Sequence, residues 1–138
     1  MCGRYHIEME DEIFKSRAML EELERRHLPM SERVQGGDVF PSQIAPVILD
    51  ETGVGVTVRP MRWGFPRAGG GGLVINSRSE KADTTAMFRH AAEAQRCLVI
   101  ASWFYEWRRT NGRKTGDQFA FALAAGGEQM YMAALYER

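Results

Sequence analysis

The second residue of this chain is a cysteine, in the opening Met-Cys-Gly-Arg-Tyr. The initiator methionine is readily trimmed before a small residue, and its removal would leave Cys2 as a free N-terminus. A cysteine there holds an amine and a thiol on adjacent carbons. That pair condenses with an aldehyde: the amine forms a Schiff base, and the thiol then closes a five-membered thiazolidine ring. An internal cysteine cannot do this, because its nitrogen is an amide. Ordinary values of about 8.5 for the thiol and about 7.7–8.0 for the amine lie close to neutral pH. Both come within reach of neutral pH if a nearby arginine or desolvation lowers them. Taken alone, such a cysteine is more often a small buried apolar residue.

Other residues could serve that chemistry. Glu106 stands in Trp103-Phe104-Tyr105-Glu106-Trp107. In a strand it shares a face with Phe104, while Trp103, Tyr105 and Trp107 share the other. A carboxylate among aromatics is a candidate acid or base, since desolvation favours its neutral form. A solvated or salt-bridged glutamate is the plainer reading. Asn76 and Arg78 follow the apolar Leu73-Val74-Ile75. Asn can orient a reacting group and Arg can grip a phosphate in bidentate fashion, although a turn Asn beside a surface Arg is commoner. Trp63, next to Gly64, offers a face for stacking a base or a side chain for the core. Gly69 to Gly72 match neither a dinucleotide fingerprint nor a P-loop, having no Lys-Ser/Thr after them. Cys97 reads as core. His6, His27 and His90 have no zinc spacing, and no metal site or cofactor is expected.

The elements that must position these residues are mostly strands. The pattern predicts a first strand over 2–8 and an amphipathic helix over 10–27, with Ile13, Phe14, Ala18, Leu20 and Leu23 on its apolar side. Pro29 ends that helix and Gly36-Gly37 marks a loop. Paired strands are predicted over 43–49 and 54–59, the second alternating Val54, Val56 and Val58. Leu73-Val74-Ile75 reads as a short buried strand. Residues 84–95 read as a helix capped by Asp83 or Thr84, and 96–107 as one or two buried strands. Asn111-Gly112 is a turn, and strands over 118–123 and 129–136 are joined by Gly126-Gly127. The sum is a single α+β domain over 1–138, with helices outside the strands. The last strand looks core-forming and would need a partner to cover its edge.

Composition narrows the class. Apolar residues make up 44% of 138, enough for one ordinary core. No apolar run approaches the roughly 20 residues of a membrane helix, and no secretory leader is visible. Two cysteines make no disulfide framework and point to a reduced, cytoplasmic setting. The net charge is zero but unevenly spread. Residues 1–58 carry 6 Lys/Arg against 11 Asp/Glu, residues 59–114 carry 11 against 4, and residues 115–138 carry 1 against 3. A basic middle in a neutral chain fits an anionic partner or scattered solvated arginines equally well.

Five segments, in order, resemble the SRAP family, the SOS-response-associated peptidase or abasic-site processing proteins. They are Met-Cys-Gly-Arg-Tyr; Phe40-Pro41-Ser42 with Pro46; Arg62-Trp63-Gly64-Phe65-Pro66; Asn76-Ser77-Arg78-Ser79-Glu80; and Arg96 through Trp107. The resemblance implies a compact, barrel-like, mostly antiparallel β fold with flanking helices. It implies covalent capture of abasic sites in single-stranded DNA by a thiazolidine at Cys2. Asn76 would hold the sugar or the Cys2 amine, and Glu106 would move protons. Arg4 and Arg78 would hold phosphates, and Pro41, Trp63 and Gly64 would lie along the DNA path. Self-removal of the residue before Cys2, abasic-site lyase activity and association with the nucleoid during DNA damage go with the family.

Two departures stand out. Bulky Trp103 occupies a place where the family usually has a small residue. The family chain also continues further and there carries a histidine in a His-Asp-Arg-like segment, which none of the three histidines here reproduces. The chain would then be a short member, a fragment, or a protein completed by a second copy or a partner chain. Two other functions compete with the covalent one. The first is an N-terminal-nucleophile amidohydrolase using the Cys2 thiol and its own amine. The second is a non-catalytic single-strand binder or truncated remnant.

Overall fold

The computed structural model describes residues 2–8, 36–108, 116–124 and 129–137. Ten strands and two short helices are present among them: β1 (Tyr5–Ile7), β2 (Gly37–Val39), β3 (Ile44–Glu51), β4 (Gly55–Arg62), β5 (Phe65–Pro66), β6 (Leu73–Val74), α1 (Ser79–Ala82), α2 (Arg89–Ala94), β7 (Arg96–Ala101), β8 (Trp103–Arg108), β9 (Asp117–Phe121) and β10 (Met130–Leu135). The helix expected over 10–27, the Asn111-Gly112 turn and the Gly126-Gly127 connection lie outside the described residues. None of the described helices is long and apolar enough to cross a membrane.

All the pairings are antiparallel. One sheet runs β2-β1-β8-β9, a second runs β10-β7-β3-β4, and β5 pairs with β6 in a small hairpin. The fold is α+β with strands dominant. The barrel-like closure expected from the sequence does not occur among the described residues, where the sheets remain separate. What joins the two large sheets is one stretch of backbone. Residues 96–108 supply β7 to one sheet and β8 to the other, bending at Ser102. The bend is fastened to β1: the Ser102 N–H donates to the His6 carbonyl at 2.8 Å, and the Glu8 N–H donates to Ser102 Oγ at 2.8 Å.

The core forms where the sheets meet. Tyr5, Ile7 and Val39 from the first sheet bury against Ala45, Ile100 and Ala101 from the second. Register explains the selection. Tyr5 lies opposite both Val39 and Phe104, so these three share a face, while His6 lies opposite Asp38 and Trp103 on the reverse. A second cluster joins Val47, Leu49, Cys97 and Tyr136 over β3 and β7. Burial there pushes the Cys97 thiol up to about 11.

Two expectations need correction. The helix expected over 84–95 is confined to Arg89–Ala94, with a separate turn of helix at Ser79–Ala82. Neither Asp83 nor Thr84 caps it: Phe88 holds the N-cap position without a side-chain bond, and Asp83 closes α1 instead. Consecutive Thr84 and Thr85 explain the break. Thr84 Oγ1 bonds the Lys81 carbonyl at 3.3 Å, the local side-chain bond that competes with helix propagation. In β4 the valine alternation does not mark the core face. Val54 and Val56 are exposed, and Thr57 is buried beside Val58.

Ile100 is fully buried where the sheets meet, whereas Val56 is 78% exposed. Ile100→Val should therefore cost about 0.5–1.5 kcal/mol, and Val56→Ala should stay within about 0.5 kcal/mol of the parent. Urea denaturation midpoints test both.

Candidate functional site

Cys2 precedes β1 in an extended segment and packs, half-buried, on the edge of the first core cluster. Its thiol donates to the Arg4 carbonyl at 3.3 Å. The same carbonyl accepts the Tyr105 N–H at 2.9 Å, so one oxygen links the thiol's segment to β8. Asn76, 74 residues further along, donates its side-chain amide to the Cys2 carbonyl at 2.7 Å. Asn76 is delivered by the stretch after β6, and Trp63 secures that stretch by donating its indole N–H to the Ile75 carbonyl at 3.0 Å.

Glu106 occupies the face of β8 that also carries Phe104, since Phe104 and Glu106 lie opposite Phe121 and Phe119 on β9. Its charge reaches the thiol. Burial pushes the Cys2 thiol above its ordinary value, and Glu106 pushes the same way; backbone hydrogen bonds at Arg4 and Tyr105 pull back less. Neither an arginine nor desolvation lowers this thiol. Desolvation disfavours a thiolate, and the nearby guanidinium is committed elsewhere.

That guanidinium belongs to Arg4, which lies on the reverse face of the sheet. Its Nη2 donates to the Asp38 carboxylate, and its central carbon lies over the Tyr105 ring, 4.4 Å from the centroid. Asp38 also bonds His6 Nδ1 at 2.9 Å and accepts the Tyr105 hydroxyl at 3.3 Å. Trp103 donates its indole N–H to the Tyr105 oxygen at 2.8 Å and stacks on His6, with centroids 4.0 Å apart. Partial burial raises the Asp38 carboxyl, but the Arg4 and His6 bonds outweigh it and hold the group below its ordinary value. This five-residue network was not legible in the sequence. Its one local trace is the alternation of Arg4 and His6 with the buried Tyr5 and Ile7.

The remaining expected residues divide into two groups. Trp63 packs on the first core cluster, its ring 5.2 Å from that of Tyr5. Gly64 adopts φ +116°, and a Cβ there would come within 2.9 Å of the Leu73 side chain, so the β5–β6 hairpin folds back only because this residue is glycine. Pro41 sits in the β2–β3 turn beside them: the Ser42 N–H donates to the Trp63 carbonyl, and the Trp63 N–H to the Gln43 carbonyl, each at 2.9 Å. Arg78 is exposed at the start of α1. The structure thus bonds Asn76 to Cys2, leaves Glu106 acting on the thiol through its charge, and sets Pro41, Trp63 and Gly64 side by side. Arg4 is held on the far side of the sheet. A wide, mainly apolar cavity of about 1190 Å³ opens from Cys2, Trp63 and Asn76 across β7 and β10 to Phe88 and Tyr136.

Residues 1–138 match the family described as SOS response associated peptidase (SRAP). Among curated proteins, the chain is similar to the abasic site processing protein YoqW of Bacillus subtilis, 29% identical over 136 residues that cover 88% of this chain and 58% of that one. It is also similar to YedK of Escherichia coli, 27% identical over 98% of this chain and 59% of that one. HMCES of Rattus norvegicus is 28% identical over 81% of this chain and 38% of its own. A crystal structure of a Bordetella bronchiseptica protein shares the fold, with a TM-score of 0.67 at 21% identity over 99% of this chain and 64% of that one. The chain spans less than two thirds of the length of each of these relatives.

Two outcomes follow from the electrostatics. Glu106→Gln removes a charge that holds the thiol protonated, so iodoacetamide should alkylate Cys2 faster near neutral pH than in the parent, as mass spectrometry of the N-terminal peptide would read. Asp38 is depressed in the folded state. Its stabilising contribution is present above the unfolded value of about 3.9 and is lost as pH falls through the lower folded value. The acid-side fall in urea midpoint should therefore be shallower in Asp38→Asn.

Proposed function

The chain belongs to the SRAP family, and on that premise we propose that its mature form captures abasic sites in single-stranded DNA through a thiazolidine bond to Cys2. The observation that carries this reading is the Asn76 side chain bonded to the Cys2 carbonyl beside a thiol that senses Glu106. A reactive end, a group that orients it and a proton carrier converge from three distant parts of the chain.

The steps balance as follows. Removal of Met1 frees the Cys2 amine. The amine attacks the aldehyde carbon of the ring-opened deoxyribose, forming a carbinolamine. Glu106, as an acid, protonates the departing hydroxyl, and water leaves to give the Schiff base. The thiol then adds to that carbon, and its proton passes to the imine nitrogen through the Glu106 carboxylate. One C–N and one C–S bond form, and one water is lost. A thiol kept protonated until this point needs such a base, which gives the burial and the negative neighbour a purpose. Asn76 fixes the Cys2 carbonyl and so the direction of the amine. Pro41, Trp63 and Gly64 provide a rigid ledge for the strand, and exposed Arg78 is suited to a phosphate. Self-removal of Met1, abasic-site lyase activity and completion by a second copy or partner chain belong to the same proposal.

Intact-mass analysis after incubation with abasic-site DNA tests the reading. The expected result is loss of Met1 and gain of the DNA mass minus water. Cys2→Ala should abolish the adduct, and Glu106→Gln should slow it by about 10²–10⁴-fold. An adduct that forms equally well on Cys2→Ala would sink the proposal, and so would hydrolysis of small amides by a protein that never retains DNA.

A further inference from the structure

We propose that Asp38 is a positioning residue for Cys2, tying the segment that carries the thiol to the strand that carries Glu106 from the side of the sheet away from both. The inference rests on the thiazolidine reading above and adds a residue that does not face the reacting groups.

Connectivity carries the argument. Arg4 is two residues after Cys2, and Tyr105 is one residue before Glu106. Both side chains bond the same carboxylate, and the Arg4 guanidinium also sits over the Tyr105 ring. In the backbone, the carbonyl of Arg4 accepts the Cys2 thiol and the Tyr105 N–H. The segment carrying Cys2 and the strand carrying Glu106 are therefore tied twice, once through the backbone and once through the Asp38 side chain. His6 extends the tie into β1 through its own bond to Asp38, and Trp103 extends it along β8 through Tyr105. Asp38 itself lies opposite His6 in the β1–β2 register, facing away from Tyr5, Val39 and the core. It thus touches neither the thiol nor the cavity that opens beside it.

The consequence is one of reach. Segment 2–4 is not part of a strand, so nothing in regular pairing fixes its distance from β8 beyond the single Tyr105 to Arg4 bond. Removing the carboxylate releases the Arg4 side chain, the Tyr105 hydroxyl and His6 together. Misplacement of a reacting group by about 1 Å can cost on the order of 10²-fold in rate. The inner-face contacts of Tyr5, Ile7 and Val39 stay in place, so the effect falls on alignment more than on folding.

The test compares parent, Asp38→Ala, Asp38→Asn and Glu106→Gln in the full chain. Two readouts are used: the pH profile of Cys2 alkylation by iodoacetamide, and the single-turnover rate of adduct formation with abasic-site DNA. Asp38→Ala should move the alkylation profile to lower pH, toward that of Glu106→Gln, because a loosened thiol escapes both burial and the carboxylate. At saturating DNA its adduct rate should fall at least tenfold, while the half-saturating DNA concentration stays within about twofold. Asp38→Asn, which keeps an acceptor oxygen, should fall between. If Asp38→Ala loses its near-UV circular dichroism, Asp38→Asn alone decides. An unchanged alkylation profile in a folded Asp38 variant overturns the positioning role. A parent that forms no adduct overturns the thiazolidine reading instead, and the alkylation profiles still decide the role of Asp38.

Discussion

Strand β1 has three residues, and both of its edges are used. It bonds β2 on one side and β8 on the other, and its last turn of backbone also holds the Ser102 bend. So short a strand has little intrinsic stability. It persists because Tyr5 and Ile7 are almost completely buried and because it pairs with a strand on each side. Cys2 inherits its location from that arrangement. With Tyr5 fixed, the three residues before it can reach only the margin of the core, where Asn76 and Glu106 arrive from other elements.

The two faces of the first sheet divide the labour. The inner face supplies burial and holds Phe104 and Glu106 in alternation. The outer face gathers polar groups and aromatics around Asp38. Strand periodicity makes this separation unavoidable, because neighbours in sequence must point to opposite sides. Trp103 and Tyr105 therefore brace the strand from behind while Glu106 lies on the other face, and its charge acts on the thiol. The bulky Trp103 is accommodated in that way: it stacks on His6 outside the core and does not crowd the site.

Much of the strand content was legible, because β3, β4, β7 and β8 carry dense apolar and β-branched residues bounded by turn residues. The β3–β4 hairpin follows from Asp50-Glu-Thr-Gly53, and the grouping of Glu106 with Phe104 follows from alternation alone. The helix after Asp83 was overextended, since apolar spacing over 84–95 says nothing about Thr84, whose hydroxyl bonds back to the Lys81 carbonyl. Barrel closure, carried from family resemblance, was not found among the described residues. The phosphate role of Arg4 came from the family resemblance alone; its pairing with Asp38 joins residues 34 apart, which no local pattern encodes. The same holds for the direction of the thiol shift. A sequence shows which charges exist, but burial and the commitment of Arg4 decide which of them the sulfur feels.

The pairing of β1 with β8 has a kinetic side. The paired residues Tyr5 and Phe104 lie 99 residues apart, and contacts of such separation form slowly, because a long loop must close before they are rewarded. Synthesis places Cys2 ahead of Asn76, Tyr105 and Glu106, so its housing is finished only after all three have left the ribosome. For that interval the thiol is open to whatever electrophiles surround the nascent chain. A residue made early is sheltered late.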